Sequence, residues 1–315
     1  MPRKPLKKLL GDMGEYITGS AYIPRDAPKD GDWPYPLNCL FMLDDPTAYF
    51  EPRDGDGVPM KNFANSIGVH YLPSRVAAYG FACWQAWKAG DTTRKDDFFK
   101  AADWFVAHED GLFLHHFSLT SVGLEAPWLS CIAQGEGISV LARAYVETGA
   151  EHYRDVAVAA LAPLTRPVAD GGVFSKLPNG AYFLEEYPGT THRHVLNGCL
   201  YAMVGLHDLD RIAPESGAGA LLQELLKTVA LNADAWERGG WSLYQYAPRG
   251  SGLAMNYNTP GYQNVHIALL SFLAAERDTE GLGRVADRLS RAAESLPRRL
   301  IALGGKVAYR ARAGW

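Results

Sequence analysis

The chain is poor in cysteine: Cys39, Cys83, Cys131 and Cys199 are the only four in 315 residues, and none belongs to a Cys-x-x-Cys pair. That excludes a disulfide-stapled scaffold and the usual zinc spacings, and leaves four reduced, core-type thiols. No uninterrupted apolar run approaches the ~20 residues of a membrane-spanning helix. The opening MPRKPLKKLLGDMGEY is basic but lacks an apolar h-region, so no signal peptide is expected and the expected location is cytoplasmic. An excess of positive charge is missing too. With 31 Lys and Arg against 35 Asp and Glu the formal net charge is −4, which speaks against a nucleic-acid partner. A polyanionic ligand would need a local basic patch. Stretches such as GGWSL and GSGLAM match neither a dinucleotide fingerprint nor a P-loop, and no cofactor is expected. What is present is a globular composition, 47% hydrophobic and 21% charged, long enough to bury a substantial core.

One stretch organises the rest: Gly171–Gly198, GGVFSKLPNGAYFLEEYPGTTHRHVLNG. Its first half predicts a β-hairpin, because two short runs rich in Val, Phe, Tyr and Leu flank Asn179-Gly180, a pair suited to the positive-φ positions of a tight turn. The second strand ends in Glu185-Glu186-Tyr187, and Pro188 stops it for want of an N–H. Thr190 or Thr191 is expected to cap a helix whose apolar run begins at Val195. Two carboxylates and a phenol on a hairpin beside a helix N-terminus suit acid–base chemistry on an anionic ligand. A solvated Glu-Glu pair is the plain alternative.

Residues 1–69, rich in Pro, Gly and Asp, predict an extended arm with short strands at most. Within it Asp54-Gly55-Asp56-Gly57 resembles the start of a calcium loop but lacks the later ligands and the closing Glu. From about residue 70 to 315 a structural repeat predicts the second domain. Each unit has an apolar helix, a polar link, an amphipathic helix, a glycine and a short aromatic strand. The helices start near residues 73, 130, 194 and 262, about 57 to 68 residues apart, and the strands are DGLFLHHF, GGVFSKL, GGWSLYQY and GGKVAYRAR. The fold expected is mainly α: an incomplete α/α barrel, or toroid, of about four helical hairpins with short β-hairpins at one mouth. Tyrosines fall in those end strands, Tyr187, Tyr244, Tyr246, Tyr262 and Tyr309 among them, as in sugar sites walled by aromatic rings.

These residues resemble a known family, the D-glucuronyl C5-epimerases that turn glucuronate into iduronate within heparan sulfate precursors. The resemblance is carried by PWLSCIAQGEGISVLARAY, then GGV with LEEYP and HVLNG, then WSLYQY, then Tyr262 followed by His266-Ile267. Weaker agreement at Tyr71, Pro73, Ala77, Tyr79 and Gly80 extends it over roughly residues 70–275, the catalytic helical domain of that family. The resemblance implies an epimerase that inverts C5 of glucuronate within an oligo- or polysaccharide, with Glu186 and Tyr262 flanking the reacting carbon and Tyr187 and Tyr244 assisting. Around them Glu185, Arg193, Asn197, Arg249, Tyr246, Gln134, His266 and Tyr79 are expected to bind substrate. The chemistry fits those residue types. Removing the proton α to a carboxylate and returning one to the other face needs a proton-transfer group on each side, plus donors for the carboxylate as it becomes enolate-like. The family also carries an arginine three residues after the hairpin tyrosine. Here Ala247 stands there, leaving Arg249, Arg193, Arg310 and Arg312 as candidates to hold the carboxylate.

Other readings stay open. A polysaccharide lyase would use the same C5 carbanion to expel the O4 substituent. A glycoside hydrolase would need a second carboxylate across the bond from Glu186, and a glycan-binding protein would need no chemistry at all. His192 and His194 form an H-x-H without a third plausible ligand, so no metal is expected. His266, one helical turn after Tyr262, is placed to orient its phenol. No nucleic-acid partner or membrane span is expected, and a homodimer is an open expectation.

Overall fold

The computed structural model describes residues 13–28, 31–45, 47–63, 67–189, 191–277 and 279–312. Thr190, one of the expected helix caps, lies outside them. The fold is mainly helical, and three two-stranded antiparallel ribbons are present among the described residues. The helices fall in pairs: α1 (Pro73–Lys88) and α2 (Arg94–Val106), α3 (Cys131–Thr148) and α4 (Glu151–Ala159), α5 (Leu196–Ile212) and α6 (Ala218–Asn232), α7 (Pro260–Glu276) and α8 (Glu280–Glu294). A further helix, α9, runs from Leu296 to Arg312. Observed starts at Pro73, Cys131, Leu196 and Pro260 match the expected repeat. Pro at the first helical position favours two of them, since its missing N–H is one the helix leaves unpaired anyway.

Three expectations fail. DGLFLHHF forms no strand; its His115 makes one isolated bridge, to Trp128. GGKVAYRAR is not a strand but the second half of α9, so Tyr309, Arg310 and Arg312 are helical. Leu, Ile, Ala and Arg upstream favour helix, and nothing forces an extended partner on the segment. Thr191 does not cap α5. It is exposed, and the helix starts five residues later, at Leu196.

The chain divides into two compact units. One comprises residues 28–194 and 198–225, the other residues up to 27, 195–197 and 226 onward. In the first, α1 packs on α2, α3 packs on α4, and α1 also packs on α3. Strands β1 (Lys61–Phe63) and β2 (Gly68–His70) pair there, as do β3 (Phe174–Lys176) and β4 (Tyr182–Leu184). The β3–β4 turn is wider than a two-residue loop. Leu177 N–H donates to the Ala181 carbonyl (2.8 Å), and only Gly180 takes positive φ (+85°), as in three-residue hairpins that end on a left-handed glycine. In the second unit α7 packs on α8, and β5 (Glu237–Arg238) pairs with β6 (Trp241–Ser242).

A side-chain amide holds the repeat together in each unit. Gln134, in the first turn of α3, accepts from Phe113 N–H (2.8 Å) and donates to the carbonyls of Gly111 (2.7 Å) and Ala160 (3.2 Å). Gln263, in the first turn of α7, accepts from Ser242 N–H (2.8 Å) and donates to Gly240 (3.1 Å) and Leu289 (3.0 Å). Both therefore clamp residues k and k+2 of the preceding turn and tie them to the second helix of their own pair. Residue k is glycine with positive φ in both cases (+70° and +84°). A Cβ on Gly111 would lie 2.4 Å from Ala160 N, and one on Gly240 would lie 2.8 Å from the Ala292 Cβ. Close approach and a left-handed backbone both demand glycine. Gln85 of α1 makes the same grip on Cys39 N–H and the Leu37 carbonyl, each at 2.8 Å.

Both clamping glutamines are fully buried. Gln134→Leu or Gln263→Leu would strand a backbone donor and at least one acceptor, at about 1–3 kcal/mol each. Either variant is expected to lose about 3 kcal/mol or more in urea unfolding, whereas replacing an exposed polar residue such as Ser251 should change stability by less than ~0.5 kcal/mol.

Candidate active site

In the first unit the site residues sit just past β4, because the strand ends at Leu184 and residues 185–187 are no longer extended. Strict alternation therefore does not govern where they point. Glu185 turns inward and is 0% exposed. Its N–H donates to Val173 and its carbonyl accepts from Cys131 N–H (3.1 Å), one of the donors that the start of α3 leaves unpaired. Its carboxylate accepts from Ser175 Oγ (2.6 Å) and His194 N–H (3.2 Å), and His194 Nδ1 lies 2.6 Å from Oε1. His194 has φ +47°, a costly conformation for a non-glycine residue, and this carboxylate holds it there. Glu185 was expected to bind substrate; its oxygens instead bind the hairpin and the approach to α5.

Glu186 is 8% exposed and lies against the start of α5. A Cβ on Gly198 would stand 2.7 Å from the Glu186 Cβ, 3.2 Å from its Oε2 and 3.3 Å from Cys131 Sγ. The glycine of the V-L-N-G stretch is thus the space in which this carboxylate sits. Burial, with the charges of Cys199, Glu186 and Glu185, pushes the Cys131 thiol well up, so it stays protonated. Tyr187 goes elsewhere. Its ring is half-buried, 6.3 Å from Trp128, in a cluster with Phe117 and Leu124.

In the second unit Tyr244 and Tyr262 meet edge-on, with ring centroids 6.1 Å apart and planes at 86°. Tyr244 is placed by its N–H on the Asn256 carbonyl (2.8 Å) and by its own carbonyl, which accepts from Leu196 N–H. Thr259 caps α7 by accepting from Tyr262 N–H, which fixes the phenol in the first turn, 41% exposed. Asn197 belongs to this unit. It is 3% exposed and its Oδ1 takes no protein hydrogen bond. Tyr246 packs edge-on to Trp236 at 5.1 Å, and burial raises its pKa.

Several expected binding residues serve the fold instead. Gln134 is the clamp described above. Tyr79 is fully buried and accepts from Arg53 Nη1 (2.6 Å). His266 is also fully buried, with Nδ1 3.5 Å from Asn258 Nδ2, and burial pushes its pKa down to about 3. It is neutral and interior, whereas Tyr262 is exposed. Ala247 is 1% exposed in the core with Trp241, Leu243 and Tyr257, so no arginine fits there. Arg249 is exposed, and Arg193 is half-buried. His115 stacks on Trp128 at 3.9 Å and is held near pKa 4 by burial.

No group of three or more His, Cys, Asp or Glu gathers among the described residues as a metal would require. His194 is engaged with Glu185, and Asp54 accepts from its own loop, Val58 N–H (2.8 Å) and Asp56 N–H (3.0 Å), and from Tyr71 OH. No helix among the described residues is long and apolar enough to cross a membrane.

Sequence reasoning missed Glu136. It lies in α3, buried, with Tyr35 OH 3.4 Å from Oε1 and Oε2 without a hydrogen bond. Burial, aided by the charge of Glu186, raises its pKa well above the usual carboxylate range. The available signal was that Glu136 is the one charged residue in CIAQGEGISVL.

Comparison with known proteins gives the family. Residues 109–291 match the family described as D-glucuronyl C5-epimerase C-terminus, and the chain belongs to that family. It is similar to a D-glucuronyl C5-epimerase of Caenorhabditis elegans, 28% identical over 246 residues, which cover 71% of this chain and 40% of the relative. It is also similar to an uncharacterized protein of Methanocaldococcus jannaschii, 26% identical over 133 residues, 41% of this chain and 43% of the other. The chain thus spans about two-fifths of the length of these relatives.

Two outcomes follow from the geometry. Gly198→Ala is expected to fold, by circular dichroism, but to lower turnover about 10²-fold, because the new Cβ must displace Glu186 and misplacement near 1 Å costs about that much. His266 makes stability pH-dependent. Its folded pKa of about 3 lies below its unfolded value of 6.5, so the unfolded state binds more protons between them. The stability it contributes is whole above about pH 6.5 and lost as pH falls towards 3. The urea midpoint of the parent should therefore fall more steeply between pH 6.5 and 4 than that of His266→Gln.

Proposed function

We propose that the protein is a uronate C5-epimerase, inverting D-glucuronate to L-iduronate within an oligo- or polysaccharide by proton abstraction and reprotonation. The observation that carries this is the pairing of family membership with the two rigidly placed sets of proton-transfer groups. Glu186 is fixed against Gly198, and Tyr262 is fixed at the capped start of α7 with Tyr244 edge-on to it. In this proposal Glu186 takes one face of C5 and Tyr262 the other. Tyr244 donates a hydrogen bond as charge builds on the carboxylate, and Asn197, Arg193 and Arg249 bind the sugar. A phenol near its ordinary pKa of ~10 is ready to return a proton and needs a donor beside it to abstract one. The four helical pairs support an incomplete α/α barrel as the fold that carries this chemistry.

A lyase acting through β-elimination is the second reading, because it shares the C5 carbanion. Incubation of glucuronate-containing oligosaccharides with the protein in D₂O, followed by NMR, separates the outcomes. An epimerase puts deuterium at C5 and generates iduronate at constant chain length. A lyase shortens the chain and leaves an ultraviolet-absorbing unsaturated uronate, and that result without any inverted sugar would overturn the proposal. Glu186→Gln and Tyr262→Phe should each lower turnover by about 10² or more with the fold intact. Full activity in either would remove that residue from the mechanism.

A further inference from the structure

The first unit contains an open groove of about 850 Å³, within the ~300–1,000 Å³ of small-molecule sites. It begins at Pro188 and Gly189, the two residues directly after Glu186-Tyr187, and extends to the Gly171–Gly172 turn. Its lining is mostly apolar and includes the half-buried Phe174 and the edge of Trp128 that His115 leaves uncovered, and its charged residues are Arg166, Lys176 and one carboxylate, Glu125, with His192 beside them.

Local structure fixes those cations. Phe174 N–H donates to the Arg166 carbonyl (3.0 Å) and Pro167 bridges Phe174, so the backbone of Arg166 is held beside Phe174. The ladder closes this tightly because Gly172 has no side chain: a Cβ there would fall 2.0 Å from Arg166 O. Along β3 the side chains alternate. Ser175 Oγ donates to Glu185, and Phe174 and Lys176, on the opposite face of the strand, line the groove, which Ser175 also borders. The Lys176 ammonium stands 5.6 Å over the Tyr182 ring. Arg166 is exposed and makes no ion pair among the described residues. Glu125 is already occupied by Ser118 Oγ (2.8 Å). In a chain of formal net charge −4, the rim is a local excess of cations.

We infer that this groove binds an acidic sugar chain alongside the reacting ring, with the half-buried Phe174 ring covering a sugar face and Arg166 and Lys176 taking the carboxylate of a neighbouring uronate. The chemistry selects the ligand. Apolar walls with aromatic rings suit the C–H faces of pyranoses, and two unpaired cations at the lip suit repeated negative charge. In a chain where uronate alternates with a neutral sugar, a second acid lies two rings from the first. Which ring reacts rests on the epimerase assignment; that the groove takes acidic glycan does not.

The test is equilibrium binding, read by calorimetry without turnover. The probes are oligosaccharides alternating glucuronate with N-acetylglucosamine or with N-acetylgalactosamine, each beside its carboxyl-reduced counterpart. The parent should prefer at least one acidic chain over its reduced form. Arg166→Ala/Lys176→Ala should weaken that binding by about fivefold or more at low salt, the range for two exposed charge pairs. The difference should shrink at high salt, and Arg166→Lys/Lys176→Arg should retain most of the affinity. Both side chains are exposed, so an unchanged thermal midpoint should accompany the loss. Equal affinity of parent and double alanine variant for the acidic chains would overturn the assignment, as would equal binding of acidic and reduced chains by the parent. Absence of C5 exchange with salt-sensitive groove binding intact would remove the epimerase reading alone.

Discussion

The fold depends on one kind of bond, a glutamine amide buried between a helix start and the backbone turn before it. A turn buried inside a protein must find partners for its N–H and C=O groups. A side-chain carboxamide has the same donor and acceptor as the peptide it replaces, so it can extend the backbone ladder where no strand is available. Gln134 and Gln263 do this in the same register, reaching residues k and k+2 of the turn and one carbonyl of their own second helix. Two of the helical pairs, those that begin at Cys131 and Pro260, thereby grip the turn that precedes them. In the second unit the clamped strand, β6, leads within two residues of Ser242 to Tyr244.

Adjacent glutamates divide a second task. Glu185 spends its carboxylate on Ser175 and His194, and its carbonyl on the first turn of α3. That fixes the backbone on which Glu186 rides, and Gly198 fixes where its side chain lies. Preorganisation of this sort is what acid–base chemistry requires, since a proton-transfer group must already be in place when the barrier is crossed. The buried, protonation-favouring environment of Glu136 adds a neutral acid behind it rather than a second negative charge.

Much of this was legible in the residues. Helix starts were readable because apolar periodicity resumes after each polar link, and the hairpin because Asn179-Gly180 sits between two aromatic runs. The last strand was misread because GGKVAYRAR imitates the other glycine-led aromatic segments, while the helical tendency of Leu296–Leu303 upstream carries straight through the glycines. Gln134, Tyr79 and His266 were read as ligand contacts because polar residues on apolar helix faces look the same whether they meet a sugar or a backbone amide. Only the partner distinguishes them, and the partner is distant in sequence: Phe113, Arg53 and Asn258 respectively. The basic groove was invisible for the same reason, since Arg166 and Lys176 become neighbours only through the turn at Gly172.

The repeat also shows where function was made. Asn197 is followed by Gly198 as Gln134 is followed by Gly135, yet asparagine is one methylene too short to serve as a clamp. Among the described residues no such side-chain clamp holds the Gly171–Gly172 turn of the first unit, which is bonded by the Val168 and Pro167 carbonyls. The Asn197 Oδ1 is left buried without a protein donor. An orphaned buried carbonyl costs about 1–3 kcal/mol, and such a cost persists where a ligand supplies the missing bond. A sugar hydroxyl is a donor of the right kind. The site residues thus sit where the repeat departs from its own rule: a shortened amide at Asn197, a glycine that admits Glu186, and a core alanine at Ala247 where the family places an arginine. With that arginine absent, a bound carboxylate would need its cation from elsewhere, and the proposal gives that part to the exposed Arg249 of the same unit, two residues along the chain from Ala247.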